Sequence, residues 1–399
     1  MPGPLTVLCI ATYEKGQEFM RECKRRGCHV LLVTDDKLKD ADWPREAIDE
    51  TFYIPRNLQR EDLLKGVSAV ARTRRIDRIV ALDDFDVETA ALLREHLRVP
   101  GMGETTARYF RDKLAERMKA RNFGILVPEF VHVVNDDEIR RFADTVPLPW
   151  ILKPRSQAAA IGMKKIERAE DLWPAIDALG DNRSFYLLER FVAGDVYHVD
   201  AIVWDRNVVF QKTHRYGAPP FQVAHGGGVF MTRSVPEDTE EWKALARVNR
   251  DVMTTFGMVR GVTHTEFIHS AETGRFLFLE TSARVGGAYI VDLVEAETGL
   301  NLWREWAKLE IEGEDGRYAV PAHEQRYAGL VLTLAKQEWP DTSAYSDPEV
   351  VYRVRKPNHA GLIVASPDLA RVDQLLADYS RRFAGDFYAF APATEKAPA

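Results

Sequence analysis

Two glutamates carry the first chemical signal in this 399-residue chain. In Val262-Thr-His-Thr-Glu266-Phe-Ile-His-Ser-Ala-Glu-Thr-Gly-Arg-Phe-Leu-Phe-Leu-Glu280, two apolar runs flank Glu272-Thr273-Gly274, a turn signal. A hairpin turning at Thr273 sets Glu266 directly opposite Glu280, and each carboxylate interrupts an apolar strand face. Two facing, half-buried carboxylates repel, so a cation belongs between them. Magnesium carrying nucleotide phosphates suits such hard oxygen donors. A slipped register would instead leave two surface glutamates. Period two continues from Glu280 to Ser282 and Arg284, ahead of Gly286-Gly287. The planar fork of Arg284 fits a transferring phosphoryl or a substrate carboxylate, and its structural alternative is a salt bridge to one of the glutamates.

A second group of polar residues precedes this hairpin. Lys212 and His214 share a strand face in Gln211-Lys212-Thr213-His214-Arg215-Tyr216, and Pro219-Pro220-Phe221 leads to His225-Gly226-Gly227-Gly228. Three glycines permit close backbone approach to a ligand, which makes Lys212 and His225 candidates for the substrate end; an ordinary hairpin with a satisfied His225 is the alternative. His264 shares the face of Glu266, yet it and His269 are expected to be hydrogen-bonded structural histidines. Asp83-Asp84-Phe85-Asp86 follows a strand and precedes a helix, where aspartates cap and suit the dipole. Cys9, Cys23 and Cys28 form an odd set confined to the first thirty residues, which argues against a disulfide framework, and Cys28-His29 has no second ligand pair at a metal-binding spacing.

These residues need elements to hold them. Leu5 to Ile10, Glu14 to Arg26 and His29 to Thr34 read as strand, helix, strand; helical stretches over Glu61 to Arg74 and Val87 to Leu97 flank a strand from Arg78 to Leu82. This alternation predicts a small doubly wound parallel domain ending near Pro100, without the G-x-G-x-x-G of a dinucleotide site. A basic helical stretch is expected over Thr105 to Asn122. Strand-like runs then dominate from Trp150 to Glu280 with turn signals between them, the texture of antiparallel sheets. Helices are expected over Ala288 to Glu297 and Leu302 to Glu310, a mixed α/β segment over Tyr327 to Tyr388, and a frayed Ala/Pro-rich tail after Ala391.

Composition narrows the function classes. A net charge of -7 does not suit a nucleic-acid binder, which needs a dominant basic surface. No apolar run approaches membrane-spanning length, and Met1-Pro2-Gly3-Pro4 leads into a strand rather than a signal peptide, so a cytoplasmic protein is expected.

The motifs, taken in order, resemble the ATP-grasp superfamily over roughly residues 100 to 310, and the preceding α/β domain resembles its usual N-terminal domain. Arg111-Asp112-Lys113 looks like the first phosphate-binding lysine motif, and Trp150-Ile-Leu-Lys153-Pro154 resembles the second lysine strand. Arg155-Ser-Gln-Ala-Ala-Ala-Ile-Gly162 is similar to the small-residue loop over the phosphates. Glu189-Arg190-Phe191-Val192 looks like the adenine hinge. The glutamate that holds the ribose in the family falls at Val196 here, so the resemblance leaves Asp195 or His198 to replace it. Glu266 and Glu280 match the metal-binding glutamates, Ser282 stands where the family has asparagine, and Arg284 matches the phosphate-stabilising arginine. The region from Lys212 to Gly228 resembles amino-acid and dipeptide ligases, and biotin carboxylase-like proteins share the wider pattern.

The resemblance implies an α/β and α+β architecture, the ATP-grasp fold with an N-terminal doubly wound, Rossmann-like domain. It implies domains over 1–100, 101–312 and 313–399, with the last completing the catalytic lobe. It further implies ATP and Mg2+ as cofactors and an ADP-forming ligase that couples a carboxylate to an amine through an acyl phosphate. The partners expected are those two small molecules, with no nucleic acid, no membrane, and a homodimer as the oligomeric option. A carboxylase or thiol ligase of the same fold, and a non-catalytic nucleotide-sensing module, are the alternatives.

Overall fold

The computed structural model describes residues 4–55, 58–158, 161–313 and 316–390. Ala159 and Ala160 of the small-residue loop, and the tail from residue 391, lie outside the described residues.

β1 (Thr6–Ala11), β2 (His29–Asp35), β3 (Glu50–Ile54) and β4 (Arg78–Ala81) form a parallel sheet in the order β3-β2-β1-β4. β1 is apolar at nearly every position because both of its faces are covered. Leu8, Ile10, Leu31 and Val33 pack with Leu63, Val67 and Ala90 of the helices Arg60–Ala71 and Val87–Leu97. Val7, Cys9, Val30 and Leu32 pack on the other side with Phe19 and Cys23 of the helix Gln17–Arg25 and with Trp306 of the helix Leu302–Glu312. All three cysteines are buried and free.

The basic stretch expected as one helix over Thr105 to Asn122 is broken. A turn of helix at Glu104–Ala107 and a 3-10 turn at Arg108–Phe110 precede a helix that starts at Lys113 and ends at Asn122. The break comes at Asp112, whose carboxylate caps the second helix by accepting from the amides of Leu114 (3.0 Å) and Ala115 (3.4 Å). Lys113 is therefore the first helical residue.

A second, antiparallel sheet contains β5 (Phe130–His132), β6 (Trp150–Pro154), β7 (Lys164–Ile166) and β8 (Tyr186–Arg190), ordered β5-β8-β6-β7. The third sheet has eight antiparallel strands: β9 (Gly194–Trp204), β10 (Asn207–Tyr216), β11 (Phe230–Ser234), β12 (Gly261–Ser270), β13 (Phe276–Ser282), β14 (Tyr327–Leu334), β15 (Val350–Arg353) and β16 (His359–Ser366). Their order is β13-β12-β9-β10-β11-β14-β16-β15. The long helix Glu240–Phe256 packs behind this sheet: its Leu245, Val252 and Phe256 meet Tyr197, Val199, Phe267 and Phe278. Since side chains alternate along a strand, Val196, His198, Asp200, Glu266 and Ile268 take the opposite face. No described helix is long and apolar enough to cross a membrane.

Candidate active site

The exposed face of the eight-stranded sheet is organised as three rows running across the strands. Ile268 of β12 pairs with Val196 of β9, and Tyr216 ends β10 beside them. One step along, Glu266 pairs with both His198 and Glu280, and His198 pairs with His214 of β10. The third row is Ser282, His264, Asp200 and Lys212. The predicted juxtaposition of Glu266 and Glu280 is present, and one irregularity sharpens it. Pairing jumps from Glu266↔Glu280 to Phe267↔Phe278, so Leu279 is a bulged residue. Its carbonyl accepts from the Arg117 guanidinium. Strict alternation would send neighbouring side chains to opposite faces; with the bulge, Leu279 and Glu280 both line one cavity.

That cavity has a volume of about 530 Å3 and is lined from all three sheets. Its size suits a small ligand buried on most sides. At one end the hinge follows β8. The Arg190 amide donates to Glu129 and that of Phe191 to Pro149, while the Val192 amide has no partner among the described residues. Ile151, Phe191 and Leu279 supply apolar walls there. Arg190 and Val192 also line this end, and the Arg190 guanidinium is held outward by Glu272 at 2.5 Å.

The centre is strongly charged. Lys113 Nζ lies 2.7 Å from Glu280 and donates to the Gln157 carbonyl at 2.8 Å. Burial would raise the pKa of Glu280, but the Lys113 ammonium, with Lys153 and Arg117 behind it, pulls it down to about 2. Lys153 lies 2.5 Å from Glu189, which also accepts from Arg117 at 3.1 Å. Burial pushes the Lys153 pKa down and Glu189 opposes that shift. Glu266 accepts from the Tyr216 hydroxyl at 2.8 Å and lies 3.6 Å from His264 Nε2. Glu116, one turn after Lys113, is buried, and that burial pushes its carboxyl up to about 8 against the pull of Lys113.

Beneath the glutamates lies a buried polar network. Asp200 accepts from His198 Nδ1 at 2.7 Å and from His264 Nδ1 at 2.9 Å, and His198 Nε2 reaches Thr232 at 2.8 Å. His198, Asp200 and His264 bring their donor atoms within 4.8 Å of one another, and these hydrogen bonds account for that closeness. Burial holds His198 down at about 3, whereas for His264 the Asp200 carboxylate outweighs burial and raises it to about 9. The connection after β13 closes tightly over this pair: a Cβ on Gly286 would come within 2.8 Å of Asp200 Oδ1 and 3.0 Å of His264 Nδ1.

At the far end Arg284 points into the cavity, and its partner is neither glutamate. Arg284 Nη2 lies 3.8 Å from Asp84, which also binds Arg111 at 3.0 Å. The Arg284 Nε is buried with no partner among the described residues. Helix capping therefore accounts for Asp83, which accepts from the Phe85 amide at 3.1 Å, but not for Asp84. Lys15, Asp84, Arg111, Glu116 and Tyr216 all line the cavity without a local motif that marks them, apart from the proximity of Arg111 and Glu116 to Lys113.

Four residues expected at the site stand elsewhere. Lys212 is buried between Glu237 (2.7 Å) and Glu297 (3.5 Å) and does not line the cavity. It sits on β10, three strands from Glu280, or roughly 14 Å at the usual strand spacing. His225 lies on the exposed side of a short helix, Pro220–Gly226, and stacks on Phe221; it is Phe221, Val223 and Ala224 that face the cavity. Asp195 points to the opposite face from Val196 and pairs with Arg215 at 2.7 Å. His198 is fully buried with both ring nitrogens engaged. His264 and His269 are hydrogen-bonded as expected, the latter to the Gly274 carbonyl at 2.9 Å.

No protein-family model matches the chain. It is similar to an L-arginine-specific L-amino acid ligase of Bacillus subtilis, 23% identical over 295 residues that span 69% of this chain and 70% of that protein. Its fold matches the L-amino acid ligase of Bacillus licheniformis with a TM-score of 0.77, 16% identity, and coverage of 98% of this chain and 99% of that one. The biotin carboxylase of Campylobacter jejuni, solved as an ATP complex, matches with a TM-score of 0.70 at 15% identity over 96% of this chain and 91% of that one.

Proposed function

We propose that this chain, which has the ATP-grasp fold, is an ADP-forming ligase that activates a carboxylate as an acyl phosphate and joins it to an amine. The observation that carries the reading is the pair Glu266 and Glu280, in register across a hairpin and facing a cavity with Lys113, Lys153 and Arg284 around them. The similarity to amino-acid ligases supports an amino acid as the substrate.

The residues present fit Mg2+ and ATP. Two facing carboxylates and the Ser282 hydroxyl form a hard oxygen donor set, and the unpartnered Arg284 Nε is a buried donor suited to an anion. Glu266, Glu280 and Ser282 would hold the metal, which when bound offsets charge on the transferring phosphoryl group. The hinge at Phe191 and Val192 would receive the purine, with Lys113 and Lys153 on the phosphates. A substrate carboxylate oxygen attacks the γ-phosphorus while Arg284 offsets charge that develops there, and ADP leaves. The amine nitrogen then attacks the acyl carbon, releasing inorganic phosphate, so no protein nucleophile is required. Asp84 and Arg111 hold Arg284 at this end, which makes Asp84 a positioning residue.

The test is an ADP-release screen over paired amino acids, followed by heavy-oxygen labelling of the carboxylate. The route predicts ADP together with singly labelled inorganic phosphate. AMP as the product, or unlabelled phosphate in a demonstrated ligation, overturns it. Turnover with bicarbonate or a thiol in place of the amine would move the reading to a carboxylase or thiol ligase.

A further inference from the structure

We propose that the nucleotide site discriminates weakly at the sugar, accepting 2′-deoxyadenosine triphosphate nearly as well as ATP; the inference rests on the nucleotide reading above. With the purine at Phe191 and Val192 and the phosphates at Lys113, Lys153 and Glu280, the ribose lies against the first row of the sheet. That row is Val196 and Ile268, with the Tyr216 ring beside them, and the three form one apolar cluster with Val192 and Leu279. Adjacent rows are two residues apart along the strand, roughly 7 Å, about the span of a sugar between base and phosphate.

Polar side chains near this row are committed elsewhere. Asp195 faces away and binds Arg215 at 2.7 Å, and His198 gives its nitrogens to Asp200 and Thr232. The Tyr216 hydroxyl donates to Glu266 at 2.8 Å, and Glu189 is bound by Lys153 and Arg117. Gln157 sits at the phosphate end, its carbonyl taken by Lys113. A ribose hydroxyl therefore meets hydrocarbon. Recognition of a hydroxyl is asymmetric. A site with buried polar groups that bind a hydroxyl rejects the analogue lacking it, because those groups are left unpaired; an apolar wall has nothing to leave unpaired and cannot do so.

Calorimetry on the full-length protein with Mg2+ and either ATP or 2′-deoxyadenosine triphosphate tests this without any substitution. The dissociation constants are expected within about fivefold of one another, the behaviour of a wall that offers the hydroxyl no partner. ATP binding with the deoxy compound more than about tenfold weaker overturns the inference and leaves the ligase reading standing. Binding of neither nucleotide overturns the nucleotide reading and the inference together. As a second readout, Val196→Glu, checked for folding by circular dichroism, is expected to widen the ATP preference by supplying the missing acceptor. A folded variant that binds ATP with an unchanged ratio would show that the sugar does not lie on this row.

Discussion

Glu280 holds the charge balance of the site. Its carboxylate is the counter-charge of Lys113 and faces Glu266. Glu280→Gln and Glu266→Gln are each expected to lower ADP release by about 100-fold or more, as loss of a preorganised electrostatic group does. Their effects on the free protein should differ. Glu280→Gln strips Lys113 of its carboxylate partner and should lower the melting temperature, whereas a glutamine at 266 still accepts from the Tyr216 hydroxyl and should leave it nearly unchanged. Differential scanning fluorimetry separates the two. Glu116 offers a pH test. Its folded pKa of about 8 lies above the ordinary value of 4.5, so between these the folded state holds a proton that the unfolded chain has released. Stability is then lost as pH rises through that window. Glu116→Gln is expected to flatten the fall in melting temperature between about pH 5 and pH 8, and an identical slope in both proteins would contradict the assignment.

At the level of elements, the place of a strand in the sheet decides which residues act. Lys212 has a suitable side chain, but β10 lies beyond β9 and β12, and two glutamates hold its ammonium there. Lys212→Ala is expected to cost stability, roughly 3 kcal/mol for a broken buried pair, with ADP release per folded molecule and ATP affinity little changed. Urea titration and calorimetry on the same sample check both parts. Range along the chain separates the features legible in the sequence from those that are not. The Glu266–Glu280 pairing is set by two short runs and one turn, and it is visible from spacing alone; the Leu279 bulge is not, since the Arg117 contact that accompanies it comes from a distant helix. The helix Glu240–Phe256 carries its own signals, a Thr239 cap on the Trp242 amide and a left-handed Gly257, in a region whose strand-like texture masks them. β11 follows three glycines that read as loop, and β3 is only half-buried at the edge of its sheet, so neither shows a clear period. Lys212 and Asp84 mislead for one reason: spacing fixes the face of a side chain but not which strand or sheet comes to lie beside it.

On the scale of the whole molecule, the cavity is assembled from parts far apart in the chain. Asp84, at the end of the parallel sheet, holds Arg111 and lies within 3.8 Å of Arg284 beyond β13. Asp84→Asn is expected to lower kcat by about tenfold or more while ATP affinity stays within a factor of about two, because only the transferring phosphoryl end loses its fixed guanidinium. Rapid-quench measurement of ADP formation beside nucleotide calorimetry tests that split. The core has the same composite origin. Residues of β1 and β2 pack in one cluster with Ile202, Phe210 and Val262 of the eight-stranded sheet and with Trp306, whose ring meets Phe19 edge-on at 5.4 Å. Neither sheet keeps its buried surface once the other is gone, so melting one strips apolar contacts from the other. The first hundred residues should therefore not behave as a detachable lobe. Heating the full chain is expected to give one cooperative endotherm spanning both sheets, and a fragment cut near residue 100 should fail to show a sharp transition of its own.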